Sequence, residues 1–313
     1  MTSPELKVFY SDHFEIPLPT GHRFPISKYR LLRERLLERG LLSPSELAEA
    51  PLACREALLQ AHSPDYIDRF LEGRLSEAEV RRIGFPWSSH LVKKVLASVG
   101  GAMAAAEAAL RSGISGNLAG GTHHAHRDWG SGYCVLNDLA VTALDLLARG
   151  KVSRVAIVDL DVHQGDGNAA ILGDHPDVYV FNMHCRSNFP FRKVPSTFDI
   201  ELEDGMEDTA YLAHLEANLD RVFAFNPGIV LYQAGVDPLK EDALGKLHLS
   251  HDGLYRRDLF VLSECKSRGI PVSLALGGGY SRPIEPTLLA YEGTYRAVRE
   301  VFRFRNSNKE PLK

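Results

Sequence analysis

Short, unbroken apolar runs alternate along this chain with longer stretches whose apolar residues recur every three or four positions. The runs at 7–10, 154–159, 177–182, 228–233 and 271–276 read as strands. Helical spacing runs from Ser27 to Arg39, with Gly40 as a stop, and from Leu136 to Ala148, with Gly150 after it. Ser63 as N-cap and Pro64 as first helical residue open another helix. Further helices are predicted over 91–111, 209–224, 253–268 and about 285–303. Strands that are apolar throughout, alternating with helices, predict an α/β fold: a mostly parallel sheet with helices on both faces. No Pro/Ser/Gly-rich linker, charge block or repeat divides the chain, so residues 1–313 read as a single domain.

Polar chemistry begins where these strands should end. In Val155–Asn168 the apolar run closes on Asp159, Asp161 and His163, with Asp166 beyond Gly165 in the turn. Asp161 and His163 are two residues apart, which on an extended backbone puts both on one side. A carboxylate and an imidazole converging there form half of a divalent metal site of the Zn or Fe(II) type. Paired glycines at 120–121 precede adjacent histidines, His123 and His124, which can both face a cavity from a loop. The run from Ile229 ends in Gly235–Val236–Asp237, a second carboxylate, and the run from Val272 ends in Gly277–Gly278–Gly279–Tyr280. All four segments sit just after an apolar run or in a glycine-rich loop, which is where an open α/β sheet puts its active site, outside the carboxyl ends of its strands.

Composition narrows the setting. A hydrophobic share of 44% with 24% charged residues is that of an ordinary globular enzyme, and a net charge of −4 argues against nucleic acid as a direct partner. Cys54, Cys134, Cys185 and Cys265 are scattered without framework spacing, which predicts reduced thiols and a cytoplasmic location. Met1–Lys7 lacks the plan of a signal peptide. The apolar stretch from Val95 to Leu110 is interrupted by Gly100, Gly101 and Glu107, so it suits a tightly packed buried helix, and no membrane association is expected.

Seven ordered motifs carry a resemblance. They are His-Arg-Phe-Pro at 22–25, His-Ser-Pro-Asp-Tyr-Ile at 62–67, Gly-Gly-Thr-His-His-Ala at 120–125 and Ser-Gly-Tyr-Cys-Val-Leu-Asn-Asp at 131–138. Asp-Leu-Asp-Val-His-Gln-Gly-Asp-Gly at 159–167, Gly-Val-Asp-Pro-Leu at 235–239 and Gly-Gly-Gly-Tyr at 277–280 follow. From about Tyr10 to Phe302 the chain resembles the zinc-dependent histone deacetylases, on the arginase/deacetylase fold, and looks closest to bacterial and class IV members.

That resemblance implies a lysine deacylase, a hydrolase of the Nε-acyl-lysine amide in a protein or peptide. Its metal, Zn2+ with Fe2+ as the alternative, would be held by Asp161, His163 and Asp237. His123 would pair with Asp159 and His124 with Asp166. His124 would be the general base toward water and the acid toward the leaving amine, with His123 as electrostatic support. Tyr280 would donate to the oxyanion. Tyr133, Phe189 and Leu244 match wall positions of the acyl-lysine tunnel, with Gly132 and Gly278 beside them. The resemblance also implies K+ near Asp159, Asp161, His163 and Asn182, although Asn182 stands where many members carry serine. His126 has no matched role and reads as a supporting or surface residue. Pro190–Phe191–Arg192–Lys193 departs from the common phenylalanine-proline-glycine pattern, and acyl groups longer than acetyl are expected to be accepted.

Other readings compete. Deacetylases of small acylated amines such as polyamines tend to dimerise through an inserted loop, and no long insertion is evident. The ureohydrolases of the same fold need more Asp/His ligands and have no use for Tyr280. A non-catalytic acyl-lysine-binding module would have lost the chemistry, yet every expected catalytic residue is present.

Overall fold

Along β4 (Val155–Asp159), Val155 and Ile157 pack into one apolar cluster while Ala156 and Val158 pack into another. β7 (Ile229–Gln233) repeats the division, with Ile229 and Leu231 on one side and Val230 and Tyr232 on the other. Both faces of these strands are therefore buried, as unbroken apolar runs require.

The structure, a computed structural model, describes residues 6–303. The two ends of the expected 1–313 domain, including most of the Met1–Lys7 segment, lie outside the described residues. The remaining strands are β1 (Lys7–Tyr10), β2 (Leu47–Glu49), β3 (Ile114–Asn117), β5 (Val178–Cys185), β6 (Phe198–Leu202) and β8 (Val272–Ala275). All eight form one sheet in the order β2-β1-β3-β8-β7-β4-β5-β6, and every pairing is parallel. The sheet is thus wholly, not mostly, parallel.

The helices are α1 (Lys28–Glu38), α2 (Arg55–Leu58), α3 (Pro64–Leu71), α4 (Glu77–Ile83), α5 (Ser89–Ser112) and α6 (Asp138–Ala148). They continue with α7 (Asp166–Leu172), α8 (Asp208–Asn218), α9 (Asp220–Ala224), α10 (His251–Ser267) and α11 (Glu285–Phe302). Residues of α1, α8, α10 and α11 join the cluster on one face of the sheet, and residues of α2, α3, α5 and α6 join the other. This is the single-domain α/β layering expected from the sequence.

Four local features differ from the expectation. β2, β3 and β6 escape the apolar-run criterion because β2 has three residues, β3 reads Ile-Ser-Gly-Asn and the edge strand β6 carries Asp199 and Glu201. The helix expected over 209–224 is divided at Leu219. Asp166 does not sit in a turn; it is the first residue of α7, whose N-cap is Gly165. Ser63 has the extended backbone of an N-cap but makes no side-chain capping bond. No helix among the described residues is long and apolar enough to cross a membrane.

Candidate metal centre and active-site cleft

Sheet order brings the chemistry together. β3, β8, β7 and β4 are neighbours, and being parallel they release their C-terminal loops at one edge. The loops after them hold His123–His124, Tyr280, Asp237 and Asp161–His163. Segments more than 150 residues apart in sequence thereby meet in one cleft.

Asp161 and His163 stand past the end of β4, so strand parity is not what makes them converge. The loop closes on itself instead: Asp161 Oδ1 accepts the His163 backbone N–H at 2.9 Å, and Asp159 Oδ1 accepts that of Asp161 at 3.3 Å. Asp237 Oδ1 accepts the Val162 N–H at 3.0 Å and ties in the loop after β7. Gly278, at φ +66°, passes against the Asp237 carboxylate where a Cβ would collide with it.

His163 Nδ1 lies 3.0 Å from Asp161 Oδ1 and 3.1 Å from Asp237 Oδ2. All three residues are buried or nearly so, and their candidate ligand atoms lie within 4.8 Å of one another. Among the described residues no other group of three or more His, Cys, Asp or Glu side chains converges in this way. Burial and the neighbouring Asp161 charge push the Asp237 carboxyl up. Burial alone would depress His163, but hydrogen bonds to Asp161 and Asp237 together with their charges push it up to about 10. The cluster therefore needs positive charge. Two carboxylates and one imidazole nitrogen fit a divalent ion of the Zn or Fe(II) type, with positions left for water and substrate.

Beside this cluster stand two histidine–carboxylate pairs. His123 Nδ1 lies 2.8 Å from Asp159 Oδ2, and His124 Nδ1 lies 2.6 Å from Asp166 Oδ1. The free edge of His123 turns toward the ligands, with Nε2 3.9 Å from Asp161 Oδ1. The His124 ring packs edge-on against Phe189 at 4.9 Å and would clash with a Cβ on Gly132. His126 Nε2 reaches the other oxygen of Asp166 at 3.0 Å while its ring stacks on Trp129 at 3.8 Å, so it braces the His124 carboxylate. Burial lowers His123, but the Asp159 and Asp161 charges outweigh it and push it to about 9. Burial and the charge on His123 bring His124 down to about 4.

Tyr280 lines the same cavity. Its backbone N–H donates to Asp242 Oδ2 at 2.6 Å, and burial and the Asp237 and Asp161 charges keep its phenol protonated. The cavity holds about 450 Å³ and includes Tyr133, Phe189, Leu244, Gly132 and Gly278 in its lining. Tyr133 adopts φ 65° and packs between Phe24, Phe85 and Tyr280. The potassium position has no support here. Asn182 uses Oδ1 to accept the Gly165 N–H at 3.3 Å, and its Nδ2, a donor, is buried without a partner.

Three supporting residues escaped the sequence reading. Lys28, 1% exposed, donates to the Gly278 carbonyl and, at 3.4 Å, to that of Gly279, and burial lowers it to about 8. Arg257, fully buried, donates from Nη1 to the carbonyls of Gly235 at 2.7 Å and Leu160 at 3.2 Å. It thus clasps the two loops that carry the candidate ligands. Asp242 holds Tyr280 from below. A signal for the first two was present: Lys28 shares a helical stripe with Leu32 and Leu36, and Arg257 one with Leu254 and Val261.

Comparison with known proteins places this site in context. The model of the histone deacetylase domain matches residues 22–292. An uncharacterized protein of Picosynechococcus is 44% identical over 94% of this chain and 99% of its own length. Histone deacetylase 2 of Arabidopsis thaliana is 31% identical, covering 89% of this chain and 75% of its own. The acetoin utilization protein AcuC of Staphylococcus aureus is 29% identical over 83% of this chain and 73% of its own. Among solved structures, the crystal structure of a histone deacetylase homolog from Aquifex aeolicus superposes with a TM-score of 0.80. It is 25% identical and covers 96% of this chain and 85% of that one. A complex of such a homolog with SAHA superposes equally well, at 26% identity.

Proposed function

The chain belongs to the histone deacetylase family, and from that premise we propose that it is a metal-dependent Nε-acyl-lysine deacylase. The family's deacetylase chemistry is common ground; the acyl-lysine substrate and the residue roles are this proposal. The observation that carries it is the meeting of Asp161, His163 and Asp237 with two histidine–carboxylate pairs and a protonated tyrosine in one cleft.

Asp161, His163 and Asp237 would hold Zn2+, with Fe2+ as the alternative. When bound, the ion supplies a Lewis acid that polarises the amide carbonyl and acidifies the attacking water. His124 takes a proton from the attacking water and returns it to the lysine Nε as the C–N bond breaks, leaving a carboxylic acid and a free amine, which exchange a proton to give carboxylate and ammonium at neutral pH. Its ring edge on Phe189, at the wall along which the lysine stem would run, favours it over His123 for this task. His123 supports the developing charge from beside Asp161. Tyr280 donates its hydroxyl to the carbonyl oxygen as that atom becomes anionic, the moment at which a fixed donor counts most. Tyr133, Phe189 and Leu244 grip the aliphatic stem.

The proposal extends the class IV likeness to substrate choice: acyl groups longer than acetyl are accepted. The cavity supports this, because its lining continues from the tunnel walls to Tyr29, Gly120, Thr122 and Cys134. We also infer a cytoplasmic enzyme from its scattered thiols, three of which are buried and all of which are free. The test is kcat/KM on one peptide carrying acetyl, propionyl, butyryl and myristoyl groups, with and without chelator. Chelator-sensitive release of lysine and acyl acid is expected, with rates beyond acetyl comparable to or above it. No turnover of any acyl-lysine would overturn the deacylase reading, and a steep fall beyond acetyl would overturn the chain-length part.

A further inference from the structure

The mouth of the cleft has a charge of its own. Apart from Asp161 and Asp237 at the metal cluster, no side chain lining the cavity is acidic, whereas Arg23 and Lys246 line it and are exposed. Two more cations adjoin them. Arg282 donates from its guanidinium to the Arg23 carbonyl at 3.3 Å, and Arg192 follows Phe191 in the chain. Among the described residues neither Arg23, Arg192 nor Arg282 has a carboxylate partner. Lys246 alone has one, with Nζ 2.9 Å from Ser187 Oγ and 3.8 Å from Asp204 Oδ2. This rim runs against the composition, since the whole chain has 40 acidic against 36 basic residues. Phe191, next to Arg192 in the chain, also lines the cavity and is 88% exposed, an aromatic face offered to whatever crosses the mouth.

We propose that the acyl-lysine turned over here lies in an acidic stretch of protein, with Glu or Asp flanking the modified residue and read by Arg23 and Lys246. The proposal rests on the deacylase reading and names its substrate class. A polycationic substrate, whether an acylated polyamine or a lysine-rich tail, brings like charge to this rim and is disfavoured. Charges at such a mouth act on encounter as well as on the complex, and salt screens both effects.

The test compares three otherwise identical acetyl-lysine peptides, flanked by Glu, Ala or Lys, on the zinc-loaded full chain. With two to four exposed pairs, each modest, the Glu peptide is expected to exceed the Lys peptide in kcat/KM by about 10-fold at low salt. Raising salt to about 500 mM should shrink that ratio to about 2-fold. In the double variant Arg23→Glu, Lys246→Glu the order should reverse. Equal or better turnover of the Lys peptide at low salt overturns the inference, as does a ratio that stays at about 10-fold at high salt or a Glu preference that persists in the double variant. Peptide binding measured by fluorescence anisotropy on the zinc-loaded Tyr280→Phe variant should rank the peptides the same way. That ranking decides the rim without turnover, and the deacylase reading falls separately if the same peptides carrying acetyl through myristoyl are all left intact.

Discussion

Tyr280 is held in place by its neighbours on every side while its hydroxyl makes no hydrogen bond among the described residues. Asp242 fixes its backbone, Lys28 holds the two carbonyls before it, and the Lys28 ammonium lies 4.8 Å from its ring centre. Tyr280→Phe removes that hydroxyl and no packing. Folding and metal content should survive, while kcat falls on the order of 10²–10³; steady-state kinetics with metal analysis checks both. The two histidines separate by the same logic. His124→Ala should cost more of the roughly 10²–10⁴-fold available to a proton-transfer group than His123→Ala does. Equal losses, or a larger loss at His123, would exchange the roles. At this scale the sequence was informative wherever a polar residue ended an apolar run, as with Asp159, Asp161 and Asp237. It was less so for Lys28 and Arg257, whose places on apolar stripes signal burial but do not say which loop carbonyls they meet.

Elements decide how firmly those residues are aimed. α10 brings Arg257 and Asp258 under the sheet, and each has further partners: Arg257 Nη1 donates to two loop carbonyls, and Asp258 accepts from Tyr232 Oη at 2.5 Å and Thr294 Oγ1 at 2.6 Å. Arg257→Met leaves the Asp258 charge buried without its cation and unties the loops after β4 and β7. A loss of about 3–5 kcal/mol is expected in denaturant unfolding, together with weaker zinc binding. Unchanged zinc affinity would mean that the clasp does not set ligand geometry. The long strands and helices were readable because each buries a continuous face. β2, β3 and β6 were not, because their places come from pairing with β1, β8 and β5 rather than from apolar content of their own. β3 matters most among them, since its loop delivers His123 and His124.

Across the whole molecule, the metal cluster exists only when the sheet is assembled, because Asp161 and Asp237 arrive from loops of separate strands. Ligand binding to the folded state alone stabilises it, so zinc should raise the melting temperature of the chelator-stripped chain and should fail to do so in Asp237→Ala. The charge balance adds a sign. Without an ion, the two carboxylates keep a proton on His163, and the metal must displace it. Zinc affinity should therefore weaken as pH falls, by about tenfold per unit around neutrality where one proton is released. Titration calorimetry at two or three pH values would detect this.

The most direct test of the central claim is a zinc titration of the chelator-stripped chain, following acetyl-lysine peptide hydrolysis and bound metal together. Turnover should be absent at the start and rise to a plateau at about one zinc per chain, and Asp237→Ala should gain neither metal nor activity. Full turnover by the stripped chain, or an Asp237→Ala variant that keeps both stoichiometric zinc and hydrolysis, would contradict the account.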